Sequence, residues 1–316
     1  MMPRLRSAAL AVLFAAAAAS AYDQPAVNLG FTSFLDGIPP AGPGWYFAQY
    51  VQYYDAGKLP DLPFPGDPEL EAWISLTQVI YQHPTPILGG ANVGLDLILP
   101  AAAFDLEADG TPLTAQDGLG DLLVGPYLQW APVMGANGPV FVHRIELQTI
   151  LPTGDYDEQY SINPGGNVVS FNPYWSATWF VTPKWTISGR LHYLWNDEND
   201  EPNVPPDSGI ADTQAGQAVH ANFATEYEVI AKQLRVGLNG YAFRQISDSQ
   251  ANGDCVDGKK EQVVGIGPGA LWSFGPDNHL FANVYFETEA QSRPEGTRVN
   301  LRSEERRVGK ECRSRW

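Results

Sequence analysis

Charged side chains recur at every second position in several segments of this chain, and that spacing limits the chemistry open to them. Arg144 and Glu146 stand two apart, as do Arg190 and His192, and Glu226 and Glu228; Arg235 follows after a short turn. Successive side chains of an extended backbone alternate between faces, so each pair shares one side. Arginines and carboxylates converging inside a pore can select solutes by charge, as charged rings do in other channels. The same groups could equally pair with one another, fill a narrow interior and hold its shape, and the two roles are compatible. If Ala231-Lys232 is a two-residue turn, Glu228 lies directly opposite Arg235.

Other chemistries find less support. His83, His143, His192, His220 and His279 are scattered without metal-ligand spacing. There is no Gly-x-Ser-x-Gly elbow; a hydrolase would have to pair Ser176 or Ser188 with His192 across neighbouring strands. Asn196-Asp197-Glu198-Asn199-Asp200-Glu201 is acidic but lacks the spacing and glycine of a calcium loop. It reads as a solvated loop, cross-bridged to lipopolysaccharide by divalent ions. Gly265-Ile266-Gly267-Pro268-Gly269 has the wrong spacing for a phosphate loop and no helix after it, and reads as inward glycines in a curved strand. No metal, cofactor or catalytic residue is expected.

The elements that must position these groups are strands, and Asn172 to Asn196 shows them best. Two strands meet at Thr182-Pro183-Lys184. In the second, Trp185, Ile187, Gly189, Leu191, Tyr193 and Trp195 alternate with Thr186, Ser188, Arg190, His192 and Leu194. The apolar face carries a tryptophan at each end. About ten residues at ~3.3 Å each, tilted by about 40°, set the indoles roughly 25 Å apart, the height of an outer-membrane apolar band between its aromatic girdles. Trp175, Trp179 and Tyr227 join Trp185 and Trp195 as girdle candidates.

Strands are predicted over 44–54, 71–81, 91–100, 121–130, 139–151, 171–181, 185–195, 218–230, 233–246, 262–273 and 279–288, with a twelfth from Thr297. Connections after even-numbered strands are short or modest. After odd-numbered strands most are long and acidic, as short periplasmic turns and long outer loops require, and an even count leaves both termini in the periplasm. A soluble sandwich or lipocalin-like barrel has no reason to sort its loops this way. A charge facing lipid at mid-depth costs about 2–4 kcal/mol, so the polar faces must line the lumen. The segment 44–54 departs from the pattern, since Gln49 and Gln52 fall on opposite faces, which predicts a bulge or a lumen-filling N-terminus.

Both ends of the sequence differ from the rest. Arg4 and Arg6, the apolar run Ala8 to Ala19 and Ala19-Ser20-Ala21 form a secretory signal over 1–21, so the mature chain is expected to begin at Tyr22. The run is too short for a membrane anchor, and no cysteine follows the cleavage site for lipidation. Residues 302–316, RSEERRVGKECRSRW, resemble a translated sequencing-library adapter, so the natural last strand is expected to be truncated after Leu301. The whole sequence has 19 basic and 36 acidic residues; without these two ends 11 and 33 remain, a net of −22. Nucleic acid, a polyanion, is excluded as a partner. Cys255 then stands alone, which excludes a disulfide framework and a thiolate metal site. No apolar run of helical-span length follows the signal.

Several phrases together resemble the family of putative phenol meta-pathway degradation proteins. They are Gly118-Leu-Gly-Asp-Leu122, Leu151-Pro-Thr-Gly-Asp-Tyr156, Asn163-Pro-Gly-Gly166, the Asn172–Asn196 hairpin and Gly265-Ile-Gly-Pro268. The resemblance implies an outer-membrane barrel encoded among pathways for aromatic compounds and taking up small apolar molecules. It carries no catalytic residues. The expectation is an all-β protein, an antiparallel up-and-down transmembrane β-barrel of about twelve strands over 22–301, in a Gram-negative outer membrane. Its partners would be lipid, lipopolysaccharide and a small solute moving passively through the lumen. The rivals are a soluble or periplasmic β-barrel binding protein and an outer-membrane hydrolase.

Overall fold

The computed structural model describes residues 24–39, 42–59, 68–107, 113–205, 208–275 and 278–307. The expected signal and most of the expected non-native tail lie outside them. The strands in chain order are β1 (Gly44–Lys58), β2 (Glu69–Pro86), β3 (Asn92–Glu107), β4 (Gly118–Leu119), β5 (Leu122–Gln129), β6 (Val133–Gly135), β7 (Gly138–Glu146), β8 (Thr149–Leu151), β9 (Ser170–Phe171) and β10 (Tyr174–Phe180). They continue with β11 (Trp185–Asn196), β12 (Thr213–Gln214), β13 (Ala218–Ile230), β14 (Leu234–Gln245), β15 (Ser249–Ala251), β16 (Asp254–Val256), β17 (Gln262–Ser273), β18 (Asn278–Gln291) and β19 (Glu295–Arg307).

Sixteen of these segments make one antiparallel sheet, and β19 pairs with β1 to close it as a twelve-stranded barrel. Three walls are interrupted: β4 to β6, β7 with β8, and β9 with β10 each form one stave. Pro126 and Pro173 sit at two of the breaks, where a residue without an N–H cannot continue a ladder. A separate sheet, β12-β15-β16, lies among the outer loops. Closure leaves no open edge, which is what a sheet in lipid must achieve.

The outer wall is apolar. Trp45, Trp73 and Trp179 are 56, 57 and 59% exposed, and Ile145, Leu191, Phe223, Leu238, Ile266, Phe286 and Leu301 also face outward. An exposed apolar surface running around the whole barrel needs lipid rather than water against it. The protein is therefore an outer-membrane barrel, and the soluble-barrel rival falls. The row Trp185–Tyr227 marks the turn end of the belt and Trp195–Phe171 the long-loop end. Tyr53 and Trp73 pair at the long-loop end, and Trp45 and Tyr81 at the turn end.

Several local expectations are corrected. Between Trp45 and Asp55 β1 runs without a bulge, the register shift falling between Asp55 and Lys58. Gln49 does face outward, where its amide donates to Ser75 Oγ (2.7 Å) and accepts from Thr77 Oγ1 (3.0 Å), so no polar group is left bare. The turn after β13 is longer than two residues. Ile230 pairs with Leu234, Lys232 takes left-handed backbone (φ 58°), and a register shift restores Glu228 opposite Arg235. At the chain's end Arg298 and Asn300 face in while Val299 and Leu301 face out. The strand continues through Arg302 to Arg307, with Arg302 and Glu304 on the inward face; backbone pairing places no demand on side-chain identity there.

The lumen is not empty. Residues 24–39 run through it from the long-loop end to the turn end, then reverse into β1. The described N-terminal end therefore lies among the outer loops: Gln24 Nε2 donates to Gly216 O (2.6 Å) and its oxygen accepts from Asn196 Nδ2 (3.0 Å). Leu29 packs with Leu194, Tyr241, Phe243 and Tyr285, and Phe34 with Ala224, Leu271 and Phe281. Inward glycines make room for it. A Cβ on Gly269 would stand 2.9 Å from Phe34 Cζ and 2.4 Å from Asn283 Oδ1, which explains that glycine of Gly265-Ile-Gly-Pro-Gly269.

Candidate functional site

The candidate site is the lumen wall together with this inner segment. Buried backbone polar groups need partners, and inward side chains of the barrel supply them. Asn222 Oδ1 accepts from Gly30 N (2.8 Å), Asn222 Nδ2 donates to Asn28 O (2.9 Å), and Tyr285 Oη donates to Gly30 O (2.9 Å). Lower down, Gln129 Nε2 donates to Gly37 O (3.1 Å) and Thr178 Oγ1 to Asp36 O. The strongest tie is ionic: Arg190 Nε and Nη2 hold Asp36 Oδ2 and Oδ1 at 2.8 and 2.6 Å. A bidentate guanidinium–carboxylate pair of this kind fixes orientation as well as distance.

The other charged groups form pairs at different heights rather than one ring. Arg144, Ser176, Arg190 and Asn222 share a row across three pairings, with Glu146 above it opposite Tyr174. Arg144 lies over the Tyr127 ring, 4.0 Å from its centroid, donates to Gln129 Oε1 (3.0 Å) and stands 3.7 Å from Glu146. Tyr174 Oη donates to Glu146 Oε2 (2.5 Å) and its ring carries Arg190 at 4.0 Å. Nearer the turns, Arg235 approaches Glu228 (3.4 Å) and Glu226 (3.8 Å), and Thr186 Oγ1 donates to Glu226.

His192 stacks on His220 with centroids 4.0 Å apart. Asn172 Oδ1 accepts from His192 Nδ1 (3.1 Å) and His220 Nε2 (3.0 Å), so both rings carry their proton on the nitrogen facing Asn172. Ser188 Oγ is engaged with Thr178 Oγ1, and Ser176 Oγ has no hydrogen-bond partner among the described residues. Neither serine reaches His192. No cluster of His, Cys, Asp or Glu among the described residues is arranged to hold a metal.

Of the girdle candidates, Trp185 and Tyr227 pair at the turn end, Trp179 stands one row in, opposite Ile187, and Trp195 sits at the outer end. Trp175 is a correction: it lies opposite Leu191, between the two girdles, because the 174–180 strand starts lower than its partner.

Sequence reasoning missed Asp36, Asp96 and a second ionic cluster. Asp36 lies outside any strand, so no periodicity marks it. Asp96, on the polar side of its strand, accepts from Gln78 Nε2 (2.6 Å), whose oxygen accepts from Tyr50 (2.7 Å). Glu287 takes Arg298 (2.9 Å), Tyr241 (2.6 Å) and Tyr54 (2.7 Å) near the outer end. Glu287, Arg298, Tyr241 and Tyr54 stand on four different strands, and only the closure of the barrel brings them together.

The loop phrases that carried the family resemblance meet in one outer knot. Asp121 accepts from Gly154 N (2.9 Å) and Gly166 N (2.7 Å), while Asp155 Oδ2 accepts from Leu119 N (2.7 Å). Burial pushes the Asp121 carboxyl above its usual range, against the backbone amides of Gly166, Gly154 and Thr153 that favour its charged form. These residues order the long loops. A cavity of about 130 Å³ lies beside them, and another of about 340 Å³ opens at the turn end of the lumen.

The fold is similar to the crystal structure of an outer membrane channel from Pseudomonas putida F1, with TM-score 0.72 and 16% identity over 89% of this chain and 99% of that one. More distant barrels are the β domain of the Bordetella autotransporter BrkA (TM-score 0.48, 10% identity, 83 and 99% covered) and a TodX deltaS2S3 mutant monoaromatic hydrocarbon channel (0.43, 9%, 84 and 90%). No curated protein matches the chain in sequence. Residues 50–303 match the family described as Putative MetA-pathway of phenol degradation, a span that runs from within β1 almost to the end of β19, and the chain belongs to that family.

Proposed function

We propose that the protein is a channel for passive uptake of small apolar or aromatic solutes, with the conducting path along the face between the inner segment and the barrel wall. The observation that carries this reading is the lumen itself: the wall is built around a non-covalently docked segment, held by hydrogen bonds along its length, two apolar clusters and one ion pair. Phe34 and Leu29 make that face apolar, both packed in clusters between segment and wall, and Phe34 also lines the cavity at the turn end. The family's description, which names a phenol degradation pathway, supports aromatic solutes. The charged pairs then line the path and keep the resting barrel closed.

Uptake by whole cells tests this, because lipopolysaccharide slows apolar solutes that cross ordinary bilayers unaided. A Gram-negative host lacking its own aromatic channels should accumulate labelled toluene faster when it expresses the protein. Equal rates with and without a correctly folded, membrane-inserted barrel would refute the reading.

A further inference from the structure

The cavity of about 340 Å³ at the turn end of the lumen has two unlike walls. One is apolar, made by Phe34, Leu35 and Ile38 of the inner segment with Ile80, Leu271 and Phe281 of the barrel. The other is cationic. Five basic side chains and three carboxylates line the space, a net of +2 in a chain whose net charge is −17. Leaving out Arg302 and Glu304, which fall in the expected non-native tail, four basic groups and two carboxylates form the lining, with Glu146 behind Arg144 (3.7 Å) and Glu226 behind Arg235 (3.8 Å).

The acidic partners are unevenly committed. Asp36 is fully engaged by Arg190. Arg235 is held only loosely: Nη2 donates to Glu228 Oε2 at 3.4 Å, and the buried Nη1 has an ionic contact with Glu226 at 3.8 Å but no hydrogen bond among the described residues. Lys232, on the neighbouring turn, lines the same space and is exposed. A buried donor without an acceptor favours a ligand that supplies one, and a carboxylate matches a guanidinium fork.

We propose that this cavity binds a small carboxylate with an apolar body, its carboxylate on Arg235 and Lys232 and its body between Phe34, Leu271 and Phe281. The volume corresponds to about eleven waters at ~30 Å³ each, room for a molecule such as 3-phenylpropionate. The inference rests on the reading of the lumen as a solute path and makes the cavity its last station before the periplasm.

The test is equilibrium dialysis of the purified full chain in non-ionic micelles, corrected against protein-free micelles. The probes are 3-phenylpropionate, 3-phenylpropanol and 3-phenylpropylammonium. The anion should bind at least about tenfold tighter than either other probe, and Arg235→Gln should remove about that factor while leaving the alcohol unchanged. Lys232→Gln, an exposed replacement of similar length that leaves the β13–β14 turn without a new branch, should weaken the anion a few-fold and keeps the test alive if Arg235→Gln fails to fold. Equal binding of anion and alcohol, or anion binding unchanged in both variants, overturns the proposal. If toluene uptake by cells persists in that case, only this inference falls; if uptake is absent too, the channel reading falls with it.

Discussion

Replacing Asp36 by alanine removes one half of the ion pair that fastens the inner segment to the wall. The carboxylate and the Arg190 guanidinium are 7 and 12% exposed, with contacts of 2.6 and 2.8 Å, so the surviving arginine would be left buried and unpaired. Truncating one partner of such a pair costs about 3–5 kcal/mol. At about 1.4 kcal/mol per tenfold, the ratio of undocked to docked segment should rise by about two to three and a half orders of magnitude. Planar-bilayer recording should show this as more frequent or longer openings of a larger pore. In a background with Cys255→Ser and Cys312→Ser, a cysteine at Ser33, which is 3% exposed beside Asn283, should become reactive to a membrane-impermeant maleimide. Asp36→Ala with Arg190→Ala should recover part of the loss, since neither charge is then buried alone. Unchanged conductance and unchanged Ser33→Cys labelling in Asp36→Ala, with heat-modifiable gel migration intact, would refute the reasoning.

Arg190→Ala alone leaves the Asp36 carboxylate unpaired in the lumen, so the conductance it opens should be more cation-selective in salt-gradient reversal potentials. Glu228→Ala and Arg235→Ala should be non-additive by about 0.5 kcal/mol or more in a double-mutant cycle of urea unfolding, because the two face each other in register. Gly269→Val forces its side chain against Phe34 and Asn283 and should destabilise by about 1–3 kcal/mol in the same assay while raising Ser33→Cys reactivity. Cys255, exposed on the outer sheet, and a cysteine placed at Asp200 should label in intact cells, whereas one at Lys184 in the 181–184 turn should not.

Alternation made the barrel legible. The residue period of two is a property of the extended backbone, so Trp185 through Trp195 declared an outer face, and Arg190 and His192 an inner one, before any partner strand was known. The loop asymmetry came from the same source, since turn signals punctuate the chain wherever alternation stops. The Glu228–Arg235 pairing could be read too, because hairpins join neighbours in sequence; the extra turn residue could not, since a register shift near Ile230 compensates it. Girdle positions were less secure. Trp175 has the right residue type on the right face, yet its height depends on where its strand begins against its partner.

What the sequence by itself determined is the class of surface each residue meets: lipid, lumen or outer water. That follows from local backbone geometry and the cost of placing a charge in lipid, and both act residue by residue. What only the tertiary structure decided is which inward groups meet one another, and which of the two expectations raised by 44–54 holds: no bulge at Gln49–Gln52, and a lumen filled by residues 24–39. Asp36 reaches Arg190 across 154 positions of sequence, from a segment with no repeat to betray it. His192 and His220 become one stacked pair, and the phrases around Asp121, Gly154 and Gly166 become one knot. Such contacts depend on the closure of twelve tilted strands into a curved wall and on the shape of the space inside. Those are properties of the whole sheet, and no short stretch of the chain encodes them.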